Sequence, residues 1–257
     1  MLFAVINESK SIKAEDAIRM TRAVGKQIYS HVAPLWSRLP GSVVYYPNRA
    51  SVPSSAWPVV LFDTPDEPDA LGYHSEDPTD KPFARVFVRP VLDNGGVVLY
   101  DPKDVSNTSV ASVLSHEILE TFVDPTVALW VDGPICDAGN SYALEVCDPV
   151  EADSYVIQGN GKSVSVSNFV LPAWFDEGAE NKQYDYMTKL GKPFSMSRGG
   201  YMVVRYHPEQ QQQQFGEVRP EAWRLATKTH RASRTARRIA NMPKEVFSND
   251  KDSKDKK

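Results

Sequence analysis

The chain has 257 residues, of which 41% are hydrophobic and 10% aromatic, and this is enough to bury the core of one large domain. Its net charge of -4 excludes a molecule built throughout as a nucleic-acid binder, and its two cysteines exclude a disulfide scaffold. No apolar run approaches the roughly 20 residues that a membrane-spanning helix needs. The opening MLFAVINESK lacks the basic segment of a signal peptide. We therefore expect a cytoplasmic or virion-associated protein without a signal peptide and without membrane contact.

The predicted elements follow the chain in an α+β order. A helical repeat of apolar residues begins after Lys13 and ends at Pro34, and the acidic, proline-rich stretch 63–82 is expected to be an irregular loop. A second helix is expected from near Asn107 to Phe122, with Ser106 or Asn107 as its N-cap. Apolar runs predict strands at 2–6, 42–46, 57–62, 83–91 and 201–206, a short strand or loop edge at 95–101, and a hairpin at 154–170. This order predicts a twisted mixed sheet backed by two helices.

The composition changes near residue 208 and divides the chain. We assign residues 1–207 to one domain, because all the predicted strands and the two predicted core helices lie there. The glutamine-rich stretch 208–216 is low in complexity and is expected to be a linker. Residues 217–257 form a basic tail that is partly helical or disordered, and its charge favours an acidic or assembly partner.

The sequence SVLSHEILETFVDP contains His-Glu-x-x-Glu on the second predicted helix. Residues four apart lie on the same face of a helix, so His116 and Glu120 are able to chelate one ion. Glu117 is next to His116, where a carboxylate can deprotonate a metal-bound water. The competing interpretation is a charged stripe on a helix that faces solvent.

Acidic residues downstream of this helix offer a third ligand. In YALEVCDPVEADSY the acids alternate with apolar residues, and Glu145 and Asp148 are the main candidates. The alternative is a calcium-type loop or plain surface acids. Cys136 and Cys147 are expected to be two unpaired thiols, with a loop-closing disulfide as the alternative.

At these residues the sequence resembles a family. SHEILETFVDP, a following tryptophan and the later EVCD resemble the SHExxE…DP…ExxD pattern of zincin-like proteins of bacteria and phages, and more distantly the Exordium (phosphate-induced) proteins. The segments ALGYH (70–74), VSNFVLPAWF (166–175) and GGYMVV (199–204) fit the same group. The resemblance covers roughly residues 1–207 and leaves the basic tail outside it.

The resemblance implies a zincin-like fold, with an active-site helix below a mixed sheet and an edge strand over a cleft. It implies His116, Glu120 and Glu145 as metal ligands and Glu117 as the general base, with Asp124 and Asp148 supporting the ligands. Residues 83–91 are the candidate for an edge strand that pairs with an extended peptide. Tyr142, His74 and Trp174 are weaker candidates for positions in the cleft.

Glu120 stands where the zinc-peptidase signature has a second histidine. A carboxylate there lowers the Lewis acidity of the metal and makes the ligand set harder. Zinc is the expected cofactor, with manganese, iron or calcium as alternatives. Two functions follow as expectations: a metallopeptidase that hydrolyses peptide or protein substrates, or a weakly active or inactive zincin-fold structural or binding protein, such as a phage virion component.

Overall fold

A computed structural model of the chain describes residues 1–68, 70–103, 108–134, 139–206 and 210–215. Its largest sheet has five strands in the order β2-β1-β3-β5-β4. In this order β2, β1, β3 and β5 run parallel to one another. The last strand, β4, is antiparallel to β5. The strands are β1 (Leu2–Asn7), β2 (Ser42–Tyr46), β3 (Trp57–Phe62), β4 (Gly72–Glu76) and β5 (Pro82–Phe87). The expected α+β class with a mixed sheet is confirmed.

Two 14-residue helices pack against this sheet. Helix α1 (Ala14–Gln27) contacts β1 and β2, and it continues through a π-helical turn (Ile28–Val32) into the short α2 (Ala33–Leu35). Helix α4 (Val110–Val123) contacts β4 and β5. Both helices also contact the hairpin formed by β8 (Ser154–Gly159) and β9 (Lys162–Ser167), so they lie between the sheet and the hairpin.

Helix α4 begins three residues later than the sequence predicts. Its N-cap is Ser109, whose side chain accepts a hydrogen bond from the backbone N–H of Ser112, while the Ser112 side chain accepts one from Ser109 in return. The helix ends at Val123, and Asp124 is its C-cap, because the residue before Pro125 avoids helical backbone angles. Every residue of α4 except His116 is buried.

A second, antiparallel sheet lies in the C-terminal half. Its order is β11-β10-β7-β6, with β6 (Trp130–Asp132), β7 (Ser141–Ala143), β10 (Tyr201–Tyr206) and β11 (Gln210–Phe215). The glutamine run, which we expected to be a linker, therefore forms a strand from Gln210 onward that pairs along the whole of β10. Backbone hydrogen bonds join these strands whatever their side chains are, so an apolar face is not required. The expected tail, 217–257, lies outside the described residues.

Three predictions around β4 and β5 are wrong. Residues 63–82 are not wholly irregular, because they contain β4, and the strand predicted at 83–91 ends at Phe87 and continues as the short helix α3 (Val88–Asp93). Strand β5 is also not an edge strand, since it lies between β3 and β4 with all six residues buried. The stretch 95–101 contains a single bridge, from Val97 to Ser109.

The other predicted strands match the structure closely, whereas β6 and β7 lie where no strand is predicted. Strands β2 and β3 have the predicted bounds, and β1 is one residue longer than expected. The 154–170 hairpin turns at Asn160 and Gly161, which both have positive φ, as a two-residue turn of this type needs. None of the described helices is long and apolar enough to cross a bilayer.

Candidate metal centre

The motif residues of α4 face the interior of the protein. His116 and Glu120 lie one turn apart, with 3.2 Å between His116 Nε2 and Glu120 Oε2. The side chain of Glu120 is 4% exposed and that of His116 is 13% exposed. The alternative of a charged stripe facing solvent is therefore wrong, and both groups need partners within the protein.

The loop after β7 supplies donors from the other side. Asp148 Oδ1 lies 3.2 Å from His116 Nε2, and the backbone N–H of Cys147 donates a hydrogen bond of 3.2 Å to Glu120 Oε1. The Cys147 thiol is free and buried, and its sulfur, a nitrogen of His116 and an oxygen of Glu120 all lie within 4.8 Å of one another. Cys136 lies outside the described residues. Asp148, predicted as a supporting residue, thus lies in direct contact with His116.

His74 on β4 enters the cluster from the sheet. Its Nδ1 lies 3.5 Å from Glu120 Oε2 and 3.7 Å from Glu117 Oε2, and its Nε2 lies 3.6 Å from Glu145 Oε2. Side-chain donors of His74, Glu120 and Glu145 form a second group within 4.8 Å. Glu145 was predicted to be the third ligand beside His116 and Glu120. It groups instead with His74 and Glu120, and Glu120 is the residue that the two groups have in common.

Glu117 occupies a confined position between α4 and β4. A side chain on Gly72 would come within 2.7 Å of Glu117 Oε1 and within 2.9 Å of the backbone carbonyl oxygen of Arg85. Because Gly72 has no side chain, the Glu117 carboxylate can occupy this space. Because β4 carries both Gly72 and His74, this strand positions Glu117 from two sides.

Asp124 lies at the end of α4 and supports the cluster indirectly. Its two carboxylate oxygens accept hydrogen bonds of 3.1 Å from the backbone N–H groups of Ala128 and Leu129. Its backbone carbonyl oxygen lies 3.2 Å from Nε2 of His74. Burial and the nearby Glu145 raise the pKa of the Asp124 carboxyl to about 6.

The cluster concentrates negative charge away from water. Five buried acidic residues lie around His74 and His116; they are Glu117, Glu120, Asp124, Glu145 and Asp148. Burial and the Asp148 carboxylate raise the pKa of Glu120 to about 8. Burial works against the charged form of His116, yet Glu120, Cys147 and Asp148 together outweigh it and raise the pKa of His116 well above its ordinary value. Without a cation, such a cluster has to hold protons.

Two further groups border the centre. Burial and the Asp148 and Glu151 carboxylates raise the pKa of the Tyr201 hydroxyl well above its ordinary value. Burial likewise raises the pKa of the Cys147 thiol well above its usual range. Both groups are therefore protonated at neutral pH in the metal-free protein.

The three weaker sequence candidates have different outcomes. His74 belongs to the centre. Trp174 is a core residue, 1% exposed, whose indole N–H donates to the carbonyl oxygen of Ser195. Tyr142 is 5% exposed and packs against Phe194, with 4.9 Å between ring centroids.

The sequence gives little indication that His74, Cys147 and Tyr201 lie at the centre. A lone histidine in a proline- and aspartate-rich loop carries no local signal, and Cys147 was interpreted as an unpaired thiol. The only hint in the sequence is the position of Cys147 inside EVCD, directly before Asp148.

Comparisons with protein-family models, curated proteins and solved structures gave no match to this chain.

Proposed function

We propose that this chain is a zincin-like, metal-dependent hydrolase that acts on peptide or protein substrates. The observation that carries the proposal is the buried convergence of His116, Glu120 and Asp148, with 3.2 Å from His116 Nε2 to each carboxylate, directly beside Glu117. Burying a charged cluster of this kind costs free energy unless its charges are paired or bind a metal, and perturbed ionisable groups gather at functional sites.

The donor set fits a divalent cation. His116, Glu120 and Cys147 offer nitrogen, oxygen and sulfur within 4.8 Å, and these are the ligand atoms that zinc takes in proteins. The surplus of carboxylates over imidazoles supports the same assignment, because a cation offsets charge that protons would otherwise have to neutralise. When bound, such an ion supplies Lewis acidity and lowers the pKa of a coordinated water to about 7.

Glu117 is the residue we assign to proton transfer. It neighbours His116 in sequence, its side chain is 7% exposed, and its Oε2 lies 3.7 Å from His74 Nδ1. Its carboxylate takes the proton of the attacking water and gives it to the nitrogen of the leaving amine. A positioned general base of this kind contributes about 10²–10⁴-fold to the rate.

Strand β4 supports the choice of a peptide as substrate. It is the outer strand of the five-stranded sheet, antiparallel to β5, and it contacts α4. An extended peptide is able to pair with such an edge through its backbone. We therefore assign peptide pairing to β4 (Gly72–Glu76) and no longer to the segment 83–91, whose first residues belong to the interior strand β5.

The test is Glu117→Gln in the full chain. We expect the variant to bind zinc as the wild type does and to lose hydrolysis of unfolded protein substrates by about 10²–10⁴-fold. Glu15→Gln on the exposed face of α1 is the matched control and should change neither. Retention of wild-type hydrolysis by Glu117→Gln would show that Glu117 is not the base.

The closed character of the centre favours a second function, a structural or binding protein. The six side chains of the centre are only 3–13% exposed, and structural metal sites are closed whereas catalytic sites keep an open position. This alternative is a zincin-fold component, for example of a phage virion. It predicts a bound metal, a lower melting temperature with chelator, and no cleavage with zinc, manganese or cobalt.

A further inference from the structure

The ligand atoms of the centre fall into two groups that share one residue. His116 and Cys147 form one group with Glu120, and His74 and Glu145 form the other group with Glu120. Both imidazoles approach the same atom, Glu120 Oε2, at 3.2 and 3.5 Å. Among the described residues, neither group within reach of a single ion contains both histidines. This is the arrangement of a carboxylate that bridges two ions.

His74 is oriented as a metal-binding histidine. Its Nε2 lies 3.2 Å from the backbone carbonyl oxygen of Asp124, which accepts a hydrogen bond when the ring proton is on that nitrogen. Nδ1 then presents its lone pair towards Glu120 and Glu117. Metal-ligating histidines commonly donate their second ring N–H to a carbonyl or carboxylate, which fixes the ring and its tautomer.

The charge of the centre also favours more than one divalent ion. Asp124 uses its carboxylate for the backbone of Ala128 and Leu129, which leaves four buried carboxylates around the two groups: Glu117, Glu120, Glu145 and Asp148. Histidine has to be neutral to bind a metal, so the imidazoles cannot supply the balancing charge. Cys147 adds a fifth negative charge when it binds a metal as a thiolate. One divalent cation offsets only two of these five charges, whereas two such cations offset four.

We propose that the buried cluster is a two-cation centre bridged by Glu120, with one ion held by His116 and Cys147 and the other by His74 and Glu145. The inference rests on the proposed metal-dependent function and adds a second ion to it. The first group contains a sulfur donor and suits zinc, while the second, with one imidazole and two carboxylates, is harder and suits manganese or iron. Two-cation centres with a shared carboxylate are a frequent device of hydrolases that activate water.

The test counts cobalt on the full chain after it has been stripped with a chelator. We expect two cobalt ions per wild-type chain by elemental analysis, with a thiolate-to-cobalt absorption band from Cys147. Cys147→Ser should lose that band, whereas the matched control Cys136→Ser should keep it. His74→Asn should bind one ion and keep the band, and its control, His31→Asn, should still bind two. His31 serves as the control because it packs on Tyr155 and Tyr186 and belongs to neither donor group.

The wild-type count decides the question without any variant, so misfolding of a variant cannot hide the result. One cobalt ion per chain, two ions in His74→Asn, or a band that survives Cys147→Ser would each overturn the two-cation centre. If one ion binds and hydrolysis still depends on Glu117, the two-cation inference fails and the proposed hydrolase stands. If no metal binds at all, both fail.

Discussion

Helices α1 and α4 have the same length and opposite surroundings. In α1 only one stripe is buried, and charged residues such as Glu15 and the Asp16–Arg19 ion pair lie on the other side, exposed or partly exposed. In α4 everything but His116 is buried, including Glu117 and Glu120. Acidic side chains on the two helices therefore differ in what balances their charge. On α1 water solvates the charge, whereas on α4 the protein or a bound cation has to compensate for it.

The largest expected effect comes from removing the shared carboxylate of α4. Glu120→Ala should abolish zinc binding and with it the stabilisation that zinc gives the folded state, about 2.7 kcal/mol at a zinc concentration of 100 times Kd. For a chain of this size that corresponds to roughly 5–10 °C in melting temperature. Melting curves of both proteins with zinc and with chelator measure the difference.

Glu15→Ala is the matched change on α1. Exposed substitutions of this kind usually alter the free energy of unfolding by less than about 0.5 kcal/mol, with or without zinc. If Glu15→Ala and Glu120→Ala shift the melting temperature equally, the contrast between the two helices does not hold.

The pH dependence of the metal-free protein is the next largest effect. Burial and Asp148 raise the pKa of Glu120 from an ordinary value of 4.5 to about 8, so the folded state binds more protons than the unfolded state between these values. Stability from this source is complete below pH 4.5 and is lost as the pH rises towards 8. The pKa of His116, raised above its ordinary value, acts in the same direction.

We therefore expect metal-free protein to be less stable at pH 8 than at pH 5.5, by at least about 1 kcal/mol, and saturating zinc to remove the difference. Thermal melts at the two pH values, in chelator and in zinc, provide the measurement. Glu120→Gln should show a flatter dependence in chelator. A metal-free wild type that is more stable at pH 8 would contradict this account.

Local signals explain which parts of the structure the sequence predicts. Apolar runs identify β1, β2 and β3 almost to the residue. Strands β1 and β3 are interior parallel strands with buried centres, and the edge strand β2 is rich in β-branched and aromatic residues. Strand β4 is missed because GYHSE is polar and follows a proline-rich stretch. It is a strand only because β5 pairs with it, which is a contact between distant elements rather than a local preference.

The same distinction applies to the candidate centre. His116, Glu117 and Glu120 are found from their spacing on one helix, and Glu145 and Asp148 from the unusual alternation of acids with apolar residues. His74 joins them only because β4 packs against α4, and no pattern within the sequence encodes that contact. Metal ligands that come from separate elements are fixed by tertiary structure, so the sequence can supply candidates but not their grouping.

The smallest expected effect concerns the first turns of the two helices. Helix α4 has a reciprocal cap between Ser109 and Ser112, whereas Lys13, the N-cap of α1, has extended backbone angles but no side-chain hydrogen bond. Ser109→Ala should lower the free energy of unfolding by about 1 kcal/mol, because it leaves the backbone N–H of Ser112 without its acceptor.

Lys13→Ser should do the opposite on α1. The serine oxygen would accept from the first-turn backbone N–H groups, and Asp16 already occupies the third helical position, where an acid suits the helix dipole. The expected gain is about 0.5–1 kcal/mol, measured by urea unfolding with an unchanged m-value. Lys13→Ala, which removes the same charge without adding an acceptor, is the control, and an equal gain in that variant would assign the effect to charge rather than to capping.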